Sequence, residues 1–203
     1  MYTWISENQI MDLLYDPDNY CINLIADSKY ILQFYLDHGY LDDQEIDVFW
    51  KVTKINMEAK KQMLSDILNI SLKMTAEHKV QFLQRIAQDE INEIDFPVIE
   101  FIEEIGASKS SNAEHTFIAS RLMFKLIFNK DLNPIMYDKA LTVFQNLIKN
   151  LEYEKIKPVA YDCIAHLKIN KASVDTFKIL RMIMETCFDS EKSIESSGEG
   201  DID

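Results

Sequence analysis

Residues 133–141 read Asn133-Pro134-Ile135-Met136-Tyr137-Asp138-Lys139-Ala140-Leu141, and this stretch writes out a helix start in full. An asparagine caps the first turn, and the proline behind it supplies a fixed φ at a position where its absent N–H is not needed. Working outward, comparable starts fall at Asn112, Asp95, Thr75 and Asn56 on one side and at Glu152 and Asn170 on the other. Each precedes an apolar run at helical spacing. Helices therefore begin every 17 to 21 residues, and every second start recurs after 37 to 40. That period is close to the one expected of paired-helix repeats of the HEAT and armadillo type. A helix pair of that length cannot bury its apolar face alone. It has to stack on neighbours, which makes an extended surface rather than a pocket. The fold expected is an all-α, HEAT/armadillo-like α-solenoid of about nine to ten helices.

The N-terminal part is punctuated less regularly. Ser6-Glu7-Asn8-Gln9 has the form of a capping box and predicts a first helix from Ser6, ending before Pro17. A second runs from about Asn19 to His38, where Gly39 supplies a left-handed stop. Asp42 and Asp43 open a third, with Ile46, Phe49 and Trp50 as its inward stripe. Asp95 with Pro97 starts a shorter helix predicted to end at Gly106. Residues 1–188 form the expected helical body. Residues 189–203 hold six acids and one lysine among Ser and Gly, a composition that predicts a disordered acidic tail.

Composition limits the function classes. Hydrophobic residues make up 47% of the 203, and only four glycines and four prolines are present, which fits helices joined by short connections. No apolar stretch is long enough to span a membrane, and the first ten residues lack the pattern of a secretory signal. Three widely separated cysteines fit free thiols in a reducing compartment, cytoplasmic or nuclear. The net charge of −13 argues against nucleic acid as a ligand. That charge is uneven. Residues 1–55 carry ten acids and three lysines, whereas residues 149–181 carry seven bases and four acids.

The sequence holds few groupings suited to catalysis or to metal binding. Cys163 and His166 lie three apart on one predicted helix and are the one candidate nucleophile–base pair, without a glycine-rich turn to cradle an oxyanion. His38, His78 and His115 are scattered, so no metal-ligand set assembles. No phosphate-binding loop is present and no cofactor is expected. The paired carboxylates Asp42-Asp43, Asp89-Glu90 and Glu103-Glu104 read as solvated helix ends and faces. Candidate partner-binding residues are Trp50, as an aromatic anchor or else a core residue, and the basic set Lys155, Lys157, Lys168 and Lys171. The last helix is apolar over more than one stripe (Ile179, Leu180, Met182, Ile183, Met184), and the first segment adds Trp4, Ile5, Met11 and Tyr15. Repeat arrays need polar outer faces on their end helices, so these ends are expected to meet adjoining repeats or a second copy.

Two stretches carry a resemblance. Residues 31–41 (Ile31-Leu32-Gln33-Phe34-Tyr35-Leu36-Asp37-His38-Gly39-Tyr40-Leu41), continued by Glu45-Ile46-Asp47-Val48-Phe49-Trp50, form the first. Ala119 to Lys130 and Asn133 to Leu141 form the second. Both resemble the noncatalytic helical-repeat region of the large fat facets-type ubiquitin-specific proteases, over roughly residues 30 to 150. After Trp50 the chain departs from that pattern and reads Lys51-Val52-Thr53-Lys54-Ile55-Asn56. The family's catalytic Cys and His boxes contain glycine, and no segment here matches them. The resemblance therefore implies an arm that docks substrates or regulators of a deubiquitinase, with no catalytic residue of its own. A free-standing HEAT-like adaptor unrelated to ubiquitin is the second expectation, and a small thiol enzyme using Cys163 and His166 the third.

Overall fold

A computed structural model describes residues 2–16, 21–107, 114–170 and 174–197. Lys171 and residues 198–203 of the expected tail lie outside them. The described residues are helical throughout, with no strand: α1 (Tyr2–Glu7), α2 (Ile10–Leu14), α3 (Ile22–Asp37), α4 (Asp43–Val52), α5 (Met57–Ile70), α6 (Ala76–Gln88), α7 (Phe96–Ala107), α8 (Glu114–Ile127), α9 (Pro134–Ile148), α10 (Tyr153–Asn170) and α11 (Val174–Ser197). A short 3-10 turn, Ile91–Glu93, precedes α7.

Several of the starts read from the sequence are made by the side chains that predicted them, Asp95 among them, whose side chain accepts from the Val98 amide; Asn112 lies outside the described residues. Asp42 accepts from the Gln44 and Glu45 amides, Asn56 from Ala59, Thr75 from His78 and Asn133 from Met136. Each contact satisfies an N–H that the first turn leaves without an intrahelical partner. At the end of α3, Gly39 takes φ +70°, and the Gly39 and Tyr40 amides donate back to Leu36 and Tyr35. This paired closure uses the left-handed conformation open to glycine.

Helix α7 ends at Ala107, within one residue of the Gly106 expected, and that glycine sits where two other helices come close. Three expectations are corrected. Asn170 does not open a helix but closes α10. Ser6 does not start a helix either. It lies inside α1, and the break comes at Gln9, which takes a left-handed φ of 50° with no side-chain cap bond to α2. The expected first helix is therefore two short ones, which raises the count among the described residues to eleven. The third concerns α11, which continues to Ser197, nine residues past Phe188. That extension has no Gly or Pro before Gly198 and contains helix-favouring Glu and Lys.

Packing follows the order of the chain with a step of two. Helices α3, α5, α7, α9 and α11 touch in succession, and so do α4, α6, α8 and α10. Neighbours such as α4 and α5, α7 and α8, α8 and α9, and α10 and α11 close the space between the two rows. Buried aromatic rings run through it: Tyr15 and Tyr35 on Phe49, Trp50 and Phe82 on Phe101, and Phe124 on Phe144.

The same step of two appears in the ion pairs. Asp37 meets Lys73, Asp43 and Asp47 meet Arg85, Lys60 meets Asp95, Glu103 meets Lys139, Glu114 meets Lys155 and Arg121 meets Asp162. Their separations run from 35 to 42 residues, the period of every second helix start. Exposed pairs of this kind contribute roughly 0 to 1 kcal/mol each, so apolar contact holds the rows together while the pairs fix their register.

Candidate functional site

The site is built between α5 and α7, which lie side by side in one row. At the first end of α5, a groove of about 400 Å³ opens between the α4–α5 turn, the 3-10 turn and the start of α7. Lys54 and Lys60 face Glu93 and Asp95 across it, and Met57 is exposed at its rim. Lys54 Nζ lies 2.6 Å from Asp89 Oδ2 and 2.7 Å from Glu93 Oε2. Partial burial opposes the Lys54 charge, but the two carboxylates outweigh it and raise its pKa. Hydrogen bonding to Lys54 lowers that of Glu93 in turn. Lys60 Nζ lies 2.7 Å from Asp95 Oδ2, and Asp95 Oδ1 accepts from the Val98 amide in the first turn of α7. The groove's charges are thus mutually neutralised.

At the other end of α5 a second groove of about 400 Å³ is lined by Leu68 of α5, Ser71 just after it, Glu100, Glu103 and Glu104 of α7, and Lys139 of α9. Lys139 is committed to Glu103 at 2.5 Å, and the Asn146 amide reaches the other oxygen of that carboxylate at 3.4 Å. Glu100 and Glu104 are exposed and form no ion pair among the described residues. In the turn after α5, Leu72 is 92% exposed. An exposed apolar side chain next in sequence to the lining Ser71, on a groove lined by two carboxylates outside any ion pair, suits a basic, partly apolar segment.

Trp50 takes the core alternative. It is 5% exposed, its ring packs 6.2 Å from Phe101, and its Nε1 donates to Asp89 Oδ2 at 3.2 Å. Lys54 Nζ stands 5.8 Å from the ring centroid. Trp50 thus supports one wall of the first groove from beneath, because Asp89 joins it to Lys54.

Of the basic set, the described Lys155, Lys157 and Lys168 line neither groove. Lys155 pairs with Glu114 at 2.6 Å and lies over Phe117, and Lys157 pairs with Glu154 at 3.0 Å and lies over Tyr153. Lys168 is exposed on α10. Cys163 is buried, its Sγ faces the Thr176 carbonyl at 3.6 Å, and burial pushes its thiol up to about 11. His166 packs its ring 3.9 Å from that of Phe128. A thiol held protonated in an apolar wall is a poor nucleophile at neutral pH.

The α5–α7 carboxylates and lysines were missed as a site because each acid, taken singly, reads as a solvated helix face. The signal that finds them is a lysine and an acid recurring one helix pair apart, as Lys60 with Asp95 and Glu103 with Lys139. Among the described residues no helix is long and apolar enough to cross a membrane, and no group of three or more His, Cys, Asp or Glu side chains is gathered as a metal site would require. No family model matches the chain, and no curated protein and no solved structure matches it either.

Proposed function

We propose that this chain is a noncatalytic protein-docking scaffold, built as a HEAT/armadillo-like α-solenoid that takes its partner along the α5–α7 surface. The observation that carries the reading is the step of two, repeated in helix contacts and in ion pairs from Asp37 to Asp162. Each helix leans on the one two places on, so length is gained by addition and the grooves stay open. The partner is a protein segment with basic and apolar side chains, chosen by Glu100, Glu104 and Leu72. The free cysteines suit work in a reducing compartment, cytoplasmic or nuclear.

A narrower form of the reading places this scaffold in the arm of a large deubiquitinase. It rests on the resemblance at residues 31–50 and 119–141. In the fold Gly39 serves as a helix stop and Trp50 as a packed position, the structural roles that the resemblance transfers.

The test is site-specific photo-cross-linking in cells from position 72, with position 84 on α6 as the control. A discrete adduct at 72, absent at 84 and lost in Glu100→Lys with Glu104→Lys, supports the docking surface. The same adducts at both positions, or an adduct indifferent to the charge reversal, would remove it.

A further inference from the structure

The serines in the last turns of α11 follow one spacing. Residues 189–199 read Asp189-Ser190-Glu191-Lys192-Ser193-Ile194-Glu195-Ser196-Ser197-Gly198-Glu199. Ser190, Ser193 and Ser196 stand three residues apart, and Glu199 stands three beyond the last of them. Protein kinases choose substrates by charge pattern, and an acid-directed class reads a negative group at that distance past the acceptor hydroxyl. Of these serines, Ser196 alone has such a group in the unmodified chain. Phosphate on Ser196 supplies it to Ser193, and phosphate on Ser193 supplies it to Ser190. The next position inward is Cys187, which carries no hydroxyl, so the series ends there. Ser111 and Thr186 also precede an acid by three residues. Glu114, the acid after Ser111, is committed to Lys155 at 2.6 Å, and the Thr186 hydroxyl donates to the Met182 carbonyl at 2.9 Å.

The place of the series in the fold favours the same order. On α11 the buried positions are Thr176, Ile179 and Ile183. From Asp189 to Ser197 the helix contains one apolar residue, Ile194, and its last turn contains no base. A helix C-terminus carries partial negative charge, so without a base there this end opens at low cost. Opening lets an acceptor hydroxyl take up the in-line geometry that phosphoryl transfer requires. Each phosphate brings a charge of about −1.5 to −2 to a segment that already holds Glu191 and Glu195. Repulsion from these acids and from the helix dipole unwinds the adjoining turn. The first transfer thus marks Ser193 for recognition and frees its turn as well.

We propose that Ser196, Ser193 and Ser190 are acceptor sites of an acid-directed protein kinase, filled in that order, and that their phosphates unwind the last turns of α11. In each transfer a bond forms between the serine Oγ and the γ-phosphorus of a nucleoside triphosphate. The bond from that phosphorus to the bridging oxygen breaks, nucleoside diphosphate leaves, and the hydroxyl proton passes to the catalytic base of the kinase. Residues 189–203 hold six acids and one lysine, so a base-directed kinase finds little to hold.

The full chain, incubated with magnesium ATP and a purified acid-directed kinase of the casein-kinase type, tests it by mass spectrometry over time. Phosphate is expected first on Ser196, then on Ser193, then on Ser190. Glu199→Gln is expected to slow the first transfer, and with it the series, about tenfold or more. Ser196→Ala should remove all of the phosphates in the series, and Ser193→Ala should leave the one on Ser196. Ser196→Asp supplies the acid itself, so it should restore transfer to Ser193 even beside Glu199→Gln. Transfer to Ser193 or Ser190 at an undiminished rate in Ser196→Ala would overturn the order. No phosphate, or phosphate confined to Ser197, Ser111 or Thr186, would overturn the sites. Backbone carbon chemical shifts of residues 188–197 read the unwinding. They are expected to be helical before modification and to move to coil values after it, and helical values retained in the fully phosphorylated chain would overturn that part. The position-72 cross-link reads the α5–α7 surface alone, so either proposal can fail while the other stands.

Discussion

Gly106 stands so close to Ala119 that a Cβ added to the glycine would lie 2.6 Å from the Ala119 Cβ, and 2.9 Å from Leu147 Cδ2. The approach brings α7 onto α8 and α9, and the Thr116 hydroxyl donates to the Gly106 carbonyl at 2.7 Å to hold it. Ala119 Cβ is fixed to its backbone, so relief requires the helices to part. Gly106→Ala is expected to destabilise the fold by about 1 to 3 kcal/mol through overpacking. Gly39→Ala is a different experiment. Nothing lies within 4 Å of its Cβ, and only the left-handed φ of +70° is at stake, a cost of about 1 kcal/mol. Urea unfolding of both variants checks the order. A Gly106→Ala protein no less stable than Gly39→Ala would contradict the close approach.

Stability should depend on pH through Glu45 and Asp42. Glu45 occupies the third position of α4, and burial, reinforced by the Asp42 carboxylate, pushes its pKa up to about 7. Hydrogen bonding to Glu45 and to the Gln44 and Glu45 amides lowers that of Asp42. The folded chain keeps the Glu45 proton at pH values where the unfolded chain has released it. The stability it contributes is complete below the ordinary glutamate value of 4.5 and is lost as pH rises through about 7. Asp42 works oppositely, its contribution being present above its ordinary 3.8 and lost as pH falls through its lowered value. Stability is therefore expected to peak in mild acid. Glu45→Gln, whose amide can donate to Asp42 at any pH, should flatten the decline between about pH 5 and 8. Urea melts across that range decide the matter, and an unchanged slope in the variant would assign the decline to other groups.

Much of this was legible in the sequence where the cause is local. Asp42, Asn56, Thr75 and Asn133 cap because a short oxygen-bearing side chain can reach the first-turn amides from its own residue. Ser6 has the same chemistry but misleads, because Tyr2 stacks on Tyr40 at 4.2 Å and packs edge-on to Tyr35 at 5.5 Å, drawing α1 back to include the serine. Gly106 marks the helix end to within one residue, but its part in close packing depends on Ala119 and Leu147, which no local pattern announces. Pro158 went unread as well. It sits inside α10, where proline removes one backbone hydrogen bond. The α5–α7 grooves need two helices to be placed side by side, and no single stretch announces that.

Asp89 joins two neighbours that would each suffer without it. Its Oδ2 takes the Trp50 Nε1 hydrogen at 3.2 Å and the Lys54 ammonium at 2.6 Å. Asp89→Ala strands a buried indole N–H and is expected to destabilise by about 1 to 3 kcal/mol. Asp89→Asn retains an acceptor and should recover part of the loss, and Trp50→Phe, which removes the donor instead, should partly mask the effect of Asp89→Ala. A double-mutant cycle with no coupling between positions 50 and 89 would refute the contact.

Thiol reactivity separates Cys163 from the other two cysteines and bears on the enzyme alternative. Cys21 and Cys187 are half-buried, whereas Cys163 is buried with its Sγ on the Thr176 carbonyl. Burial pushes its pKa to about 11, so the thiolate fraction at neutral pH is minute and access is closed as well. With an aromatic disulfide reagent, Cys163 is expected to react only as fast as the protein opens, and its rate should follow stability in the Gly106→Ala variant. The other two should react without that dependence. His166→Ala should change the Cys163 rate only as far as it changes stability, because the imidazole packs at a tilt against Phe128. Rapid modification of Cys163 in the native protein, with a pH midpoint near neutrality that His166→Ala abolishes, would instead reveal an activated thiol and return the chain to the enzymes.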